Sequence, residues 1–224
     1  MKRTILFLSV IAVIQSCVPA KVGTEQKSVA AGQIVGEDGK LYQSEQFADL
    51  RVLHYYIPQW DSLSIDQKKL VYYLTQAGLA GRDIMWDQNC SANIPVRRAL
   101  EHIYANYKGD KNNESWKSFE LYLKQVWAHT GIHHHYNSTK LTPGFDRAYF
   151  DKLCSETSLK PDEIVYKALF DPTFMAMKVE SDVNKDLIAN SAVNFYEGVT
   201  TAEVDSFYNA MRIPGDRAPL EYGL

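Results

Sequence analysis

The sequence predicts a mainly α-helical fold with a few short strands, an α+β class, on three observations. Apolar residues recur at the 3.6-residue period of a helix in several segments between residues 64 and 211. Prolines, glycines and capping residues stand at the borders of these segments, where helices begin and end. Strand signals are few: the turn dipeptide Asp38-Gly39 and a short apolar run at residues 192–196.

Composition allows a packed core and gives no sign of a nucleic-acid partner. The 224 residues are 46% hydrophobic and 23% charged, which suits one large domain or two small ones. The net charge is −3, and lysine and arginine are mixed with aspartate and glutamate along the chain. Because no basic face or run stands out, we expect no binding of nucleic acid.

Residues 1–17 resemble a bacterial lipoprotein signal peptide. Lys2 and Arg3 precede a short apolar stretch at residues 5–14, and the box Ile-Gln-Ser-Cys ends at Cys17, the expected site of lipid attachment. The alternative is an ordinary secretory signal cut after Ala20. The first interpretation predicts a protein anchored by lipid at the cell envelope, and the second predicts a secreted one.

Residues 18–43 are polar and rich in small side chains, which is typical of a tether between a membrane and a domain. Within them, Asp38-Gly39 is a weak hairpin signal. The remaining residues, 44–224, form the predicted globular body. It contains Cys90 and Cys154, for which both a disulfide and two unpaired, partly buried thiols are open interpretations.

The first predicted helix extends from Ser64 to about Asp87, despite Gly78 and Gly81. Ser64 is a suitable N-cap. The helical period assigns four residues to the inner face: Ile65, Leu70, Leu74 and Ala77.

Four further helices are predicted downstream. One opens at Pro95, ends at Gly109 and has an inner face of Val96, Leu100, Ile103 and Tyr107. The next spans residues 115–129, stops at Gly131 and has an inner face of Trp116, Phe119, Leu123, Val126 and Trp127. Two shorter helices follow near residues 146–156 and 161–170.

The C-terminal part contains one further helix and one possible strand. Thr200 and Glu203 form a capping box before the last helix. Ala192–Tyr196 is the possible short strand.

The run His133-His134-His135 raises the question of a metal site. His129 and His133 are four residues apart, but Gly131 between them should end the helix, and the chain contains no His-Glu-x-x-His motif. The three histidines could hold nickel or copper loosely, but a solvated or substrate-facing loop explains them better. We therefore assign no metal ligand, and residue chemistry alone reveals no active site.

A set of short motifs in order along residues 44–224 resembles the dipeptidyl peptidase III family, especially its bacterial members. The motifs are Glu45–Arg51, Leu70–Gln76, Ala80–Asp83, Asn106–Asp110, Gly131–Tyr136, Pro143–Phe145, Phe170–Pro172, Asn194–Thr200 and Phe207–Met211.

This resemblance implies a two-lobed zinc metallopeptidase, a hydrolase that removes dipeptides from the N-terminus of short peptides. The family's upper lobe carries zinc on a His-Glu-x-x-x-His motif and a downstream glutamate, and the motif glutamate is the general base. The lower lobe holds the peptide. This chain matches only the N-terminal part of that lower lobe, so the zinc ligands are not in it and we expect it to be inactive without the upper zinc lobe.

The resemblance also assigns a substrate-binding residue, Tyr136, which matches an aromatic residue at the family's cleft. His134 and His135 would then lie along the cleft rim and contact the peptide. The alternative is that Tyr136 is a loop aromatic packed on the helix below. For the whole chain, the alternative to an exopeptidase fragment is a lipid-anchored helical module that binds peptides or a partner without catalysis.

Overall fold

The computed structural model describes residues 32–212. They contain a small antiparallel sheet and seven α-helices joined by loops. The sheet has the order β1-β2-β3, with β1 at Ile34–Val35, β2 at Leu41–Phe47 and β3 at Leu50–Leu53. A mainly helical chain with one small sheet confirms the predicted α+β class. The predicted signal peptide and Cys17 lie outside the described residues.

The turn between β1 and β2 forms at the predicted dipeptide. Gly39 has φ +75°, and the Asp38 carboxylate accepts a hydrogen bond from the Lys40 backbone N–H at 3.2 Å. A left-handed residue after an aspartate is what such a tight turn requires. The hairpin is therefore confirmed, and strand pairing begins within the segment predicted as a tether.

The helices occupy most of the chain after residue 64. They are α1 (Ile65–Ala80), α2 (Arg82–Asn89), α3 (Asn93–Asn106), α4 (Glu114–His129), α5 (Arg147–Glu156), α6 (Glu163–Phe170) and α7 (Thr201–Met211). Within the described range, every helix is too short or too polar to span a lipid bilayer.

Side-chain caps fix where α1, α4 and α7 begin. Ser64 forms a capping box with Gln67 at the start of α1, and Thr200 forms the predicted one with Glu203 at the start of α7. The Asn113 side chain accepts the Trp116 N–H at 2.9 Å, which starts α4 one residue before the predicted position. Each cap satisfies a backbone N–H that has no partner within the helix.

The first predicted helix is wrong in its length and in its inner face. Gly81 divides it into α1 and α2, since glycine has the lowest helix propensity of the residues other than proline. Ile65, Leu70 and Leu74 are 66%, 59% and 63% exposed, and no residue of α1 in the described structure is buried. Apolar side chains run consecutively from Leu70 to Leu74, so they cover several faces of the helix and define no single inner one.

The hydrophobic core lies between α3, α4, α5 and α6. It contains the predicted inner residues of α3 and those of α4 except Trp127, with Trp116, Phe119 and Leu123 at most 1% exposed. Trp127 was predicted to face inward but is 39% exposed, because its indole N–H donates to Glu101 at the surface. The remaining core side chains come mainly from α5 and α6: Phe150, Leu153, Val165, Ala168 and Leu169.

Two boundary predictions for α3 and one strand prediction are corrected. Pro95 is the third residue of α3 and not the first, and α3 ends at Asn106, before Gly109. Residues 192–196 form no strand. Instead, Ala192 and Asn194 donate their backbone N–H groups to Met177 and Gln88, which fastens this segment to two separate parts of the fold.

Cys90 and Cys154 are unpaired and buried, as the second interpretation of the cysteines predicted. Cys90 contacts the Met175 sulfur at 3.2 Å. Burial raises the pKa of both thiols, that of Cys154 to about 11.

We predict that Leu123→Ala destabilises the protein far more than Leu121→Ala on the same helix. Leu123 is 0% exposed and Leu121 is 38% exposed. A cavity left by a fully buried leucine costs about 2–5 kcal/mol, whereas a half-exposed one should cost under about 1 kcal/mol. Urea denaturation followed by circular dichroism measures both, and equal losses would contradict the position of the core.

We predict that a folded-state interaction of Glu180 is lost in acid. Hydrogen bonds from the Lys185 ammonium and from the backbone N–H groups of Asp182 and Ser181 lower the pKa of Glu180 from 4.5 to about 2. A lowered pKa stabilises the folded state above the unfolded-state value, and this stabilisation is lost as pH falls from about 4.5 to about 2.

The test compares the wild type with Glu180→Gln in denaturation at several pH values. The difference in free energy of unfolding should be largest at neutral pH and should shrink below pH 4.5. Glu197→Gln, at an exposed carboxylate, is the matched control. A difference for Glu180→Gln that does not change with pH would contradict the assignment.

Candidate functional site

The histidine loop, residues 133–140, leaves the end of α4 through two left-handed residues. Thr130 has φ +55° and Gly131 has φ +148°. A Cβ atom on Gly131 would overlap the side-chain amide of Asn93, so glycine is required there for space as well as for conformation. The predicted stop at this glycine is confirmed, with the last helical residue at His129.

Asn93 fixes the start of the loop to the helices. Its side chain is fully buried, donates to the Trp86 carbonyl at 3.0 Å and accepts the Ile132 N–H at 2.9 Å. One amide therefore joins the end of α2, the start of α3 and the exit of α4. The loop begins from a rigid base.

His133 belongs to this base and not to the open part of the loop. It is 2% exposed, and its Nε2–H donates to the Met175 carbonyl at 2.7 Å. Burial lowers the pKa of His133, which favours the neutral ring. His133 also forms an antiparallel bridge with Lys140, which closes the loop. The structure therefore does not bring His133, His134 and His135 together as a ligand set.

His134 instead lies beside His129 and Asp49. The two imidazole centroids are 4.6 Å apart, and His134 Nε2 lies 3.2 Å from an Asp49 carboxylate oxygen. One possible ligand atom from each of the three residues lies within 4.8 Å of the others. In residues 32–212 this is the one such group of three that could hold a metal ion.

Backbone hydrogen bonds determine the tautomers of both rings. His129 Nδ1 accepts the His135 N–H at 3.2 Å, and His134 Nδ1 accepts the N–H groups of Tyr136 and Asn137 at 3.2 and 3.3 Å. An accepting nitrogen carries no proton, so the proton of each neutral ring is on Nε2. His134 donates it to Asp49, and that hydrogen bond is the largest cause of the lowered pKa of Asp49.

His129 Nε2 is the unusual atom of this cluster. The side chain is 3% exposed, and Nε2 has no hydrogen-bond partner among the described residues. Burial, followed by the charge of His134, lowers the pKa of His129. A buried polar atom without a partner carries a desolvation cost and marks a place where a ligand would be stabilised.

Tyr136 and His135 form the exposed tip of the loop. Tyr136 is 88% exposed, so it is not packed on the helix below, which was the alternative to a cleft position. Its ring contacts that of His135 edge to face, with centroids 4.9 Å apart. The Lys178 backbone N–H donates to the Ser138 carbonyl at 2.8 Å and holds the far side of the tip. An aromatic ring is thus presented to solvent from a fixed backbone.

An apolar pocket of about 500 Å³ lies next to the loop. Its wall includes Leu141, Phe145, Leu169 and Phe170. Lys140 also lines it, and the Lys140 ammonium donates to the carbonyls of Asp171 and Phe174 at 2.7 and 2.8 Å. Burial lowers the pKa of Lys140.

Sequence reasoning missed Asp49 and assigned no role to His129. Asp49 is 85 residues from His134 along the chain and lies in the turn between β2 and β3, so no local pattern joins them. His129 was noted only for its spacing to His133. The signal that could have found it is its place as the last residue of a helix beside a glycine exit.

The chain matches no protein-family model and no curated protein. The resemblance to the dipeptidyl peptidase III family therefore stays a prediction from the sequence motifs.

We predict that Asn93→Ala destabilises the protein and loosens the histidine loop. The substitution leaves the buried Ile132 N–H without an acceptor, at about 1–3 kcal/mol, whereas the Trp86 carbonyl still accepts the Cys90 N–H at 3.3 Å. Thermal denaturation measures the loss, and amide hydrogen exchange at residues 132–136 measures the loosening. Asn106→Ala is the control, because its exposed side chain bonds only to His102 of its own helix. Equal effects of the two variants would contradict the bridging role of Asn93.

Proposed function

We propose that residues 44–224 are the N-terminal part of the lower lobe of a zinc-dependent exopeptidase that removes dipeptides from the N-terminus of peptides. In this proposal the chain supplies one wall of the peptide cleft, and the upper zinc lobe supplies the catalytic centre. The observation that carries it is the exposed ring of Tyr136, presented from a fixed loop beside an apolar pocket.

The loop has the properties that peptide binding requires. Its base is held by buried hydrogen bonds from Asn93 and His133, so little conformational entropy is lost when a ligand binds. Its tip offers the aromatic ring of Tyr136 and the imidazole of His135, and the adjacent pocket offers apolar area. Rigid support, one aromatic contact and a few polar groups are typical of ligand sites.

The surface of α1 supports the proposal that more protein packs on this chain. A helix with apolar side chains on several faces is normally buried in part, but Leu70, Tyr72 and Tyr73 are 59%, 58% and 67% exposed. Exposed apolar area of this kind marks a contact surface. The remainder of the enzyme would cover it.

The sequence of this chain does not contain the zinc ligands. It has no His-Glu-x-x-x-His motif, and the cluster of Asp49, His129 and His134 does not match that pattern. We therefore propose no catalytic residue here. The proposed roles of this chain are to bind the peptide through Tyr136 and the rim histidines and to exclude water from one side of the cleft.

The second candidate is a lipid-anchored module that binds a peptide or a partner protein without catalysis. The same exposed ring and apolar pocket favour it. In both proposals, lipid on Cys17 would hold the protein at the envelope side of a membrane, and cleavage after Ala20 would release it instead.

The experiment that separates the two candidates is to sequence the gene beyond codon 224. A reading frame that continues into a His-Glu-x-x-x-His motif supports the exopeptidase, and zinc-dependent release of dipeptides from short peptides would then establish it. A stop codon at that point would overturn the exopeptidase proposal and favour the binding module.

We predict that Tyr136→Ala in the complete enzyme raises KM for short peptides and leaves kcat largely unchanged. Loss of one aromatic contact, about 1.4 kcal/mol, corresponds to an increase in KM of about tenfold. Steady-state kinetics with several peptides measure it. Tyr55→Ala is the control, since Tyr55 is similarly exposed at 87% but lies beyond β3. An unchanged KM for all peptides would contradict the proposed position of Tyr136 in the cleft.

A further inference from the structure

We propose that Asp49, His129 and His134 bind one divalent transition-metal ion of the zinc, cobalt or nickel type. This site is separate from the zinc of the proposed upper lobe and does not depend on the proposed function. The three residues come from two distant parts of the chain: Asp49 lies in the β2–β3 turn, whereas His129 ends α4 and His134 follows five residues later in the histidine loop.

The ligand set has the chemistry and spacing of a metal site. Two imidazoles and one carboxylate suit divalent transition metals, and sites with three protein ligands leave the other positions to water or another ligand. One atom from each residue already lies within 4.8 Å of the others, so small side-chain movements would bring all three to an ion. The carboxylate of Asp49 offsets part of the charge of the ion.

Burial of His129 is the independent observation that points to a ligand. Its Nε2 atom has no partner among the described residues, although the side chain is 97% buried, being 3% exposed. Coordination would satisfy this atom. The Asp49 side chain is 64% exposed and that of His134 is 20% exposed, so two of the three proposed ligands are open to solvent.

Metal binding has a defined effect on the loop. An imidazole that coordinates through Nε2 must carry its proton on Nδ1. In the metal-free arrangement, both Nδ1 atoms accept backbone N–H groups, from His135 to one ring and from Tyr136 and Asn137 to the other. Each ring therefore moves one proton from Nε2 to Nδ1, with none released from the rings, and the three N–H groups lose their acceptors.

These three hydrogen bonds are weak enough to be displaced. Their lengths of 3.2, 3.2 and 3.3 Å are at the long limit for N–H donors. The hydrogen bond from His134 to Asp49 is also replaced, since both groups become ligands. The ion and the ordered backbone of residues 135–137 therefore compete for the same imidazoles.

The first test titrates the purified 224-residue chain, without a histidine tag, with Co²⁺ followed by visible absorption and then with Zn²⁺ as competitor. We expect one ion per chain. Asp49→Asn and His134→Ala should each raise the dissociation constant roughly tenfold or more. Asp49 is exposed in a turn, so its variant keeps the fold even if a variant of buried His129 does not.

The controls distinguish the cluster from loose binding by exposed histidines. His135→Ala and His54→Ala change exposed imidazoles outside the cluster and should leave the dissociation constant unchanged. Binding that is insensitive to Asp49→Asn and His134→Ala, or that is lost in His135→Ala, would overturn the proposal.

A second measurement tests coordination through Nε2. Saturating Zn²⁺ should speed hydrogen exchange at the amides of His135, Tyr136 and Asn137, because their acceptors are lost. Most ligands slow the exchange of nearby amides, so this sign is distinctive. Slower or unchanged exchange at all three amides in the zinc-bound protein would exclude coordination through Nε2.

Discussion

The buried amide of Asn93 is the interaction on which the position of the histidine loop depends. It joins the carbonyl of Trp86 to the N–H of Ile132, so the end of α2 and the exit of α4 share one side chain. Gly131 must be glycine because that same amide occupies the space of a Cβ atom. The hydrogen bond from Ile132 to Asn93 fixes the backbone where the histidine loop starts, and this position helps to set the directions of His134 and Tyr136. A buried amide with its donor and acceptor both in use specifies one arrangement, because any shift leaves a polar group without a partner.

The middle and the outer helices of the described chain differ in how far their apolar side chains are buried. From α3 to α6, aromatic and aliphatic residues pack into one core around Trp116, Phe119 and Phe150. In α1 and α7, no residue in the described structure is buried. The core explains why the histidine loop has a stable support, while the exposed apolar helices favour a larger assembly. Both proposals for function use this contrast, since a peptide cleft requires the first property and an additional lobe or partner would use the second.

Local sequence patterns predicted the helices and turns well, but they predicted burial and long-range contacts poorly. The inner faces of α3 and α4, the capping box at Thr200 and the turn at Asp38-Gly39 depend on neighbours within a few residues, and the structure confirms them except for Trp127 of α4. The inner face assigned to α1 was wrong, because burial depends on what packs against a helix. The contact between Asp49 and His134 crosses 85 residues and could not be predicted from one sequence. The run of three histidines is visible in the sequence. Tertiary structure decides that His133 is buried, that His134 contacts Asp49 and that His135 is exposed.

The two buried cysteines determine how this protein would fare in an oxidising compartment. Thiol oxidation and disulfide exchange proceed through the thiolate and need access to the sulfur. With a pKa of about 11, Cys154 is ionised in roughly one molecule in ten thousand at pH 7. Cys90 is fully buried against the Met175 sulfur and Cys154 is 4% exposed, so local unfolding would open both sulfurs to oxidants. An exported form of this protein would keep both thiols reduced for as long as it stays folded, and the rate at which they react with a thiol reagent would report the opening of the core.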